Sequence, residues 1–146
     1  MNIGIDKFGL AIPKFFLDIK DLAVARNENA NKFLKGLLQL EMSVSPVTQD
    51  IVTLGAAAAH EFLTEEDKKK IDMVIIGTET GVDQSKSASV FIHNLLGIQP
   101  FARCIEIKEA CYGATAGLDF AKKHIENNPD SYVLLIASDI AKYGIG

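Results

Sequence analysis

The sequence contains only two cysteines, Cys104 and Cys111, among 146 residues. Their spacing matches neither a CxxC pair nor a zinc-ligand pattern, which argues against a cysteine metal site. So low a cysteine content is also typical of proteins from reducing compartments, where disulfides are uncommon. The cysteines therefore agree with a cytoplasmic protein.

Long apolar runs and strong charge are also missing. No segment approaches the ~18 consecutive apolar residues of a membrane span. The N-terminus lacks the basic start, the continuous apolar stretch and the small-residue cleavage site of a signal peptide. The net charge of −4 gives no reason to expect nucleic acid or an anionic membrane as a partner. With 48% hydrophobic and 23% charged residues, the chain is typical of one globular domain.

Motifs for nucleotides and metals are absent as well. Neither GxGxxG nor GxxxxGK[ST] occurs, so a phosphate cradle is unsupported. The three histidines, His60, His93 and His124, fall within predicted helices and lack metal-ligand spacing. We therefore expect no metal site and no bound cofactor.

The second half of the chain alternates strands and helices. Residues 73–77 and 133–137 are short apolar runs typical of buried strands, and 101–107 is a third predicted strand. Apolar residues at helical spacing predict helices over 83–96 and 111–127. This alternation is typical of an α/β protein with a mostly parallel sheet covered by helices.

The first half is less regular. Residues 4–12 are predicted as a strand, and Asp18 can cap a following helix. Further helices are predicted over 31–38 and 51–62, the second from apolar residues along one helical face. Residues 64–70, which end in three lysines, are predicted as an exposed connection.

Three polar side chains follow the ends of the predicted strands, where open α/β sheets bind ligands: Glu79, Cys111 and Asp139. Cys111 opens a predicted helix, whose unpaired N–H groups and dipole favour a thiolate nucleophile. A small buried hydrophobic residue would fit the same position. Glu79 fits either a functional carboxylate or a solvated loop acid. Asp139 is a third acid at this edge, or the cap of a local turn.

Three local strings carry a family resemblance: G-T-E-T at 77–80, E-A-C-Y-G-A-T at 109–115 and S-D-I-A-K-Y at 138–143. With these strings the chain resembles the N-terminal part of bacterial 3-hydroxy-3-methylglutaryl-CoA synthases, from residue 3 onward. A-C-Y-G-x-T preceded by G-T-E-T at this distance is far more specific than either string alone. The resemblance implies a thiolase-like layered αβαβα fold, of which residues 1–146 form the N-terminal half. It also implies a homodimer.

The resemblance implies condensation of acetyl-CoA with acetoacetyl-CoA in the mevalonate pathway. Cys111 matches the family nucleophile, which carries the acetyl group as a thioester. Glu79 matches the general base, which removes a methyl proton from that acetyl group. The carbanion attacks the ketone of acetoacetyl-CoA, and water then releases the product. The expected partners are acyl-CoA substrates and a second copy of the chain, without nucleic acid or membrane.

Four further residues match substrate-binding or neighbouring positions of the family. Lys32 matches a position implicated in CoA binding, where a cation facing a phosphate is reasonable. Asp139 and Tyr143 match positions near the active site, in supporting roles. Asn29 stands where relatives often have an aspartate that contacts the substrate.

Members of the family are considerably longer than this chain. The family's essential histidine, which orients acetoacetyl-CoA, has no counterpart among these residues. Neither has the family's asparagine or part of its oxyanion hole. We therefore expect a truncated N-terminal half that does not turn over alone. Two alternatives stay open. One is an initiating ketoacyl carrier protein synthase, which uses Cys with His and Asn rather than an upstream Glu. The other is a non-catalytic fragment that only folds and assembles.

Overall fold

The computed structural model describes residues 3–141. Its strands and helices, in chain order, are β1 (Phe15–Asp18), α1 (Ile19–Ala25), α2 (Asn31–Leu34), β2 (Glu41–Val44), α3 (Ile51–His60), α4 (Glu65–Lys70), β3 (Ile71–Gly77), α5 (Ala88–Leu96), β4 (Arg103–Ile107), α6 (Gly113–Asn127) and β5 (Tyr132–Ala137). A 3₁₀ turn, Ala110–Tyr112, precedes α6. The chain divides into two compact parts: Ile12–Gln49, here called the hairpin unit, and the other described residues, here called the sheet unit.

The sheet unit contains three parallel strands in the order β4-β3-β5. Val74 in the central strand pairs with Cys104 on one side and with Leu134 on the other. Because the strands are parallel, their carboxyl ends meet at one edge of the sheet. The predicted α/β architecture, a parallel sheet with covering helices, is confirmed.

Helices cover both faces of this sheet. On one face Ile76 packs with Ile51 of α3 and Ile92 of α5, and all three side chains are fully buried. Each such burial contributes about 1.5–3 kcal/mol. On the other face α6 lies so close that a Cβ at Gly117 would be 3.2 Å from Cγ2 of Ile75. None of the helices within residues 3–141 is long and apolar enough to cross a membrane.

Most of residues 64–70 are exposed, as predicted, but they are helical rather than an irregular connection. These residues include α4, whose first turn is closed by a capping box between Thr64 and Asp67. The three lysines lie in its last turn, where positive charges stabilise the helix by interacting with the negative end of its dipole. Asp67 is only 6% exposed and also accepts a hydrogen bond from Lys7 at 2.6 Å.

Residues 4–12 do not form the predicted strand. Within the described part of the chain no strand pairs with them, and a strand needs such a partner for its backbone groups. Ile5, Phe8 and Leu10 are instead exposed. The backbone at Gly9 approaches α3, because a Cβ there would lie 2.3 Å from the carbonyl oxygen of Ala58.

The predicted helix over 83–96 begins later, at Ala88. The carboxylate of Asp83 accepts hydrogen bonds from the amides of Ser85 and Lys86, which holds this segment in a turn. The hydroxyl of Ser87 then caps α5 by accepting from the amide of Ser89. This late start leaves a loop between β3 and α5.

The hairpin unit contains an antiparallel pair, β1 and β2, that the sequence pattern did not predict. Phe15 pairs with Val44 at one end of this ladder. Asp18 caps α1 as predicted, by accepting from the amide of Lys20. The helix predicted over 31–38 shortens to the single turn α2. It cannot include Leu38, whose left-handed backbone with φ 52° is incompatible with a helix.

Candidate active site

A thiol and a carboxylate lie side by side where β3 and β4 end. Glu79 follows β3, Cys111 follows the neighbouring β4, and Sγ of Cys111 lies 3.8 Å from Oε1 of Glu79. At this distance the thiol donates a weak hydrogen bond to the carboxylate. Cys111 is exposed, so it is not the small buried hydrophobic residue that its position also allowed.

Two glycines bring these groups together. A Cβ at Gly77, the last residue of β3, would lie 2.3 Å from the amide nitrogen of Ala114. A Cβ at Gly113 would lie 2.9 Å from the carbonyl oxygen of Ile107. Only glycine therefore lets the start of α6 touch the ends of both strands. The amide of Thr78 completes the junction by donating to Ile107 at 3.1 Å.

The turn that presents Cys111 has an unusual backbone. Ala110 adopts a left-handed conformation with φ 46°, which a non-glycine residue rarely does. Cys111 lies in the 3₁₀ turn, and α6 begins at Gly113 rather than at the predicted Cys111. Within the turn the amide of Tyr112 donates to Glu109 at 2.9 Å. This turn presents the sulfur of Cys111 to Glu79, which follows β3.

Asp139, after β5, holds the loop that carries Glu79. Its Oδ2 accepts from the amide of Glu79 at 2.5 Å, and its Oδ1 accepts from the hydroxyl of Thr80 at 2.7 Å. Oδ1 also accepts from the amide of Ala141 at 3.0 Å. Partial burial raises the pKa of Asp139, but these hydrogen bonds outweigh it and lower the pKa below its usual range. The carboxylate therefore stays ionised and fixes the backbone next to Glu79.

The neighbouring Ser138 ties the same edge to α3. Ser138 is buried, its amide donates to the carbonyl of Gly77, and its hydroxyl donates to the carbonyl of Ile51 at 2.8 Å. The end of β5 is thus fastened both to β3 and to the start of α3. Sequence reasoning did not single out Ser138 as a structural residue of the site.

Sequence reasoning also missed Thr80 and Glu106. Thr80 was visible only as part of the G-T-E-T string, and its contact to Asp139 depends on strand order. Glu106 is an acid inside β4 whose side chain is 8% exposed. A charged residue within a predicted strand was the one available signal, because buried carboxylates need partners.

The other predicted substrate-binding residues belong to the hairpin unit or fall outside the described residues. Asn29 and Lys32 belong to the hairpin unit and are exposed there. The side-chain oxygen of Asn29 accepts from the amide of Asn31 at 3.0 Å, and Nζ of Lys32 lies 4.0 Å from Oε2 of Glu28. Tyr143 lies outside the described residues.

Cys104 differs sharply from Cys111. It lies within β4, where burial raises the pKa of its thiol, an effect that a hydrogen bond with Ser89 partly offsets. A thiol with a raised pKa is less nucleophilic at neutral pH. Cys104 therefore serves as an internal comparison for the reactivity of Cys111.

Two of the three histidines, His124 and His93, have hydrogen-bond partners. Nε2 of His124 lies 2.8 Å from Oδ1 of Asp72, and Nε2 of His93 lies 2.9 Å from the carbonyl oxygen of Gln99. Among residues 3–141, no group of three or more His, Cys, Asp or Glu side chains could hold a metal ion.

Comparison with known proteins places the chain among relatives of one kind. A family model described as hydroxymethylglutaryl-coenzyme A synthase N terminal matches residues 1–146. The hydroxymethylglutaryl-CoA synthase of Enterococcus faecalis is 57% identical over 145 residues, which are 99% of this chain and 38% of that protein. The polyketide biosynthesis 3-hydroxy-3-methylglutaryl-ACP synthase of Bacillus subtilis is 34% identical, over 98% of this chain and 35% of that protein.

Solved structures give the same result. A crystal structure of an HMG-CoA synthase complexed with CoA is 60% identical in sequence and superposes with a TM-score of 0.95. The match covers 100% of this chain and 38% of that one. The chain thus spans between a third and two fifths of the length of these relatives.

Proposed function

Because the chain belongs to the hydroxymethylglutaryl-coenzyme A synthase N-terminal family, we propose that it supplies the acetyl-carrying thiol and the general base for condensing acetyl-CoA with acetoacetyl-CoA. The observation that carries this proposal is the 3.8 Å contact between Sγ of Cys111 and Oε1 of Glu79. Residues 1–146 then correspond to the N-terminal half of a thiolase-like synthase domain. The proposed setting is the cytoplasm and the mevalonate pathway.

The first step is acetyl transfer to Cys111. Sulfur attacks the thioester carbonyl of acetyl-CoA, a new S–C bond forms, and the bond to the CoA sulfur breaks. The thiol proton leaves with CoA, so the products are acetyl-Cys111 and free CoA. Exposure of Cys111 supports this role, because an acyl donor as large as CoA must reach the sulfur.

The second step uses Glu79 as a base. Its carboxylate takes a proton from the methyl group of the acetyl thioester, and the C–H electron pair forms an enolate. Positioned general bases contribute typically about 10²–10⁴-fold to such a step. The carboxylate lies beside the sulfur that would carry the acetyl group, which supports this assignment. The amide of Cys111 is a candidate donor to the enolate oxygen.

Condensation and hydrolysis complete the reaction. The enolate carbon attacks the ketone carbon of acetoacetyl-CoA, and the resulting alkoxide takes up a proton. Water then cleaves the thioester at Cys111, which regenerates the thiol and releases hydroxymethylglutaryl-CoA. Lys32, Asn29, Asp139 and Tyr143 are proposed to support the binding of these substrates. One relative with a solved structure was crystallised with CoA and another with 3-hydroxy-3-methylglutaryl-CoA.

An initiating ketoacyl carrier protein synthase is the second candidate. Enzymes of that type use Cys with His and Asn, whereas here a glutamate contacts the thiol. This glutamate therefore favours the first proposal. The two candidates predict different outcomes for Glu79→Gln. A synthase of the proposed type loses condensation and keeps acetylation of Cys111, whereas an enzyme of the second type keeps both, since it does not use this glutamate.

The chain itself allows a direct test of the first step. It is incubated with acetyl-CoA, digested at acidic pH and analysed by peptide mass spectrometry. We expect an acetyl adduct on Cys111 and none on Cys104, which is partly buried in a strand. Cys104→Ser should retain the adduct and Cys111→Ala should lose it. Absence of the adduct from folded wild-type chain, or equal labelling of both cysteines, contradicts the proposal.

The second step is tested by hydrogen exchange. When the acetylated chain is held in D₂O, reversible proton removal by Glu79 should introduce deuterium into the acetyl methyl group. The mass of the Cys111 peptide reports this uptake. Glu79→Gln should acetylate but show uptake reduced by about 10²-fold or more. Uptake that persists in Glu79→Gln excludes Glu79 as the base.

Self-association is also proposed, as a homodimer. Several large apolar side chains of the sheet unit are exposed, among them Phe101, Tyr112, Leu118 and Phe120. Exposed apolar surface of this kind marks sites of protein contact. Light scattering at several concentrations measures the mass, and a monodisperse monomer contradicts the proposal.

A further inference from the structure

A buried carboxylate lies beneath the loop that joins Glu79 to α5. Glu106 belongs to β4, pairs in register with Ile76 of β3, and has a side chain that is 8% exposed. Its Oε2 accepts a hydrogen bond of 2.6 Å from the amide of Ala88, the first residue of α5. A charge in this position is costly to bury unless its partners hold it firmly.

The second oxygen of Glu106 faces a cation. Nζ of Lys108 lies 3.3 Å from Oε1, an ion pair without hydrogen-bond alignment. Among the described residues no group hydrogen-bonds to this buried oxygen. Nζ of Lys108 also lies 3.5 Å from the carbonyl oxygen of Asp83, in the middle of the loop. The ion pair thus connects the end of β4 with the loop above it.

The loop backbone lies directly on this ion pair. A Cβ at Gly81 would be 2.5 Å from Oε1 of Glu106 and 2.8 Å from Cε of Lys108. Gly81 is two residues from Glu79 in the same loop, so this contact supports the backbone close to Glu79. Glu106 and Lys108 therefore contact the loop at Gly81 and Asp83, and the helix that follows it at Ala88.

We propose that Glu106 is a positioning residue that sets the reach of Glu79 toward the acetyl group on Cys111. This inference rests on the function proposed above, since Glu106 contacts no reacting atom. Asp139 fixes the start of the loop at Glu79 and Thr80, and Glu106 supports the stretch that follows. Glu106→Gln removes the negative charge that pairs with Lys108. It also places an NH₂ group against either the Lys108 ammonium or the Ala88 amide, neither of which can accept a hydrogen bond.

The test separates base positioning from general stability. Acetylation of Cys111 and deuterium uptake into its acetyl group are measured for wild type, Glu106→Gln and Gly81→Ala. Misplacing a catalytic group by about 1 Å can cost about 10²-fold in rate. We therefore expect uptake in both variants to fall by about 10- to 100-fold, with acetylation close to wild type.

Asp67→Asn is the matched control. Asp67 is likewise buried, lies in a helix-capping interaction and pairs with a lysine, but it precedes β3 rather than following it. It should lower stability while leaving the ratio of uptake to acetylation unchanged. A purely structural role for Glu106 predicts the same behaviour for Glu106→Gln.

The measurements distinguish a failure of the role proposed for Glu79 from a failure of the role proposed for Glu106. Wild-type chain that is acetylated but takes up no deuterium contradicts the function proposed for Glu79 and says nothing against the loop geometry. Wild-type uptake with an unchanged uptake-to-acetylation ratio in Glu106→Gln overturns the proposed role of Glu106. If Glu106→Gln does not fold, Gly81→Ala decides alone, because it displaces the same carboxylate while keeping its charge.

Discussion

Asp139 follows β5, and its carboxylate accepts a hydrogen bond from the backbone amide of Glu79, which follows the neighbouring strand β3. Its other oxygen binds the hydroxyl of Thr80 and the amide of Ala141. Both carboxylate oxygens of Asp139 thus accept hydrogen bonds from neighbouring loops of the protein. Asp139 thereby holds in place the loop that carries Glu79. Its part in supporting substrate binding stays a prediction.

Asp139→Asn should therefore impair the step that uses Glu79. The amide of asparagine presents one oxygen and one NH₂ group, so at least one of the three donors around Asp139 loses its acceptor. We expect deuterium uptake into acetyl-Cys111 to fall by about 10-fold or more, because the loop is no longer held in one geometry. Peptide mass spectrometry in D₂O measures this rate.

Asp130→Asn is the control for that variant, since Asp130 is an exposed acid in the turn between α6 and β5. It makes the same change of charge without touching the Glu79 loop. Uptake should then equal that of wild type. Equal rates in Asp139→Asn and Asp130→Asn contradict a positioning role for Asp139.

The close packing at Gly77 leads to a second prediction. A Cβ at this position would lie 2.3 Å from the amide nitrogen of Ala114, and backbone cannot move aside as a flexible side chain can. Gly77→Ala should lower the free energy of unfolding by about 1–3 kcal/mol, the usual cost of overpacking. It should also separate Cys111 from Glu79, so deuterium uptake falls as well.

Gly4→Ala provides the comparison, because nothing lies within 4 Å of a Cβ added at Gly4. Chemical denaturation monitored by circular dichroism measures both variants. The expected order of stability is wild type, then Gly4→Ala close to it, then Gly77→Ala well below. Equal stability of the two variants contradicts the close approach at Gly77.

That Glu79 and Cys111 each follow a strand was accessible from the sequence, because it depends on local pattern. That they share an edge also required their strands to be neighbours, which only the pairing of β3 with β4 shows. Each residue comes directly after a predicted strand, and parallel neighbouring strands end at the same edge. The partners of Asp139 and the burial of Glu106 were not accessible, because they depend on strand order and on side-chain geometry. Strand order β4-β3-β5 is a long-range property that periodicity does not encode.

The errors along the chain have the same origin. Apolar residues at 4–12 resemble a strand, but only a pairing partner makes a strand, and none is present in the described structure. The pairing of β1 with β2 likewise joins segments that are distant in sequence. The Thr64–Asp67 capping box was visible, yet α4 is too short to show a helical period.

A third prediction concerns pH and Asp67. A hydrogen bond from Lys7 is the main cause that lowers the pKa of Asp67, and hydrogen bonds from Thr64 lower it further. Because the folded pKa lies below the unfolded value of about 3.9, the carboxylate contributes its full stability above that pH. This contribution is lost as pH falls through the folded pKa.

Denaturation curves from neutral to acidic pH measure this effect. Wild type should lose stability as the pH falls below about 4, and Asp67→Asn should be less stable at neutral pH with a flatter acid limb. Glu66→Gln, on the same helix but exposed, should follow the wild-type curve. An acid limb in Asp67→Asn as steep as that of wild type contradicts the assignment.

The last prediction concerns the turn that contains Cys111. Ala110 has φ 46°, a left-handed conformation that costs an L-residue about 1–2 kcal/mol and costs glycine almost nothing. Glycine also gives the unfolded chain more freedom, which offsets about 0.4–1 kcal/mol of that gain. Ala110→Gly should therefore raise the free energy of unfolding by up to about 1 kcal/mol.

Ala116→Gly, in the interior of α6, makes the same chemical change at a position with helical backbone. There glycine should lower stability by about 1 kcal/mol, since it has no strain to relieve. The unfolded-state contribution is shared by the two variants, so the difference between them measures the strain stored beside Cys111. If Ala110→Gly destabilises the chain as much as Ala116→Gly, the turn is unstrained. The position of the Cys111 sulfur beside Glu79 must then come from the packing of Gly77 on Gly113 alone.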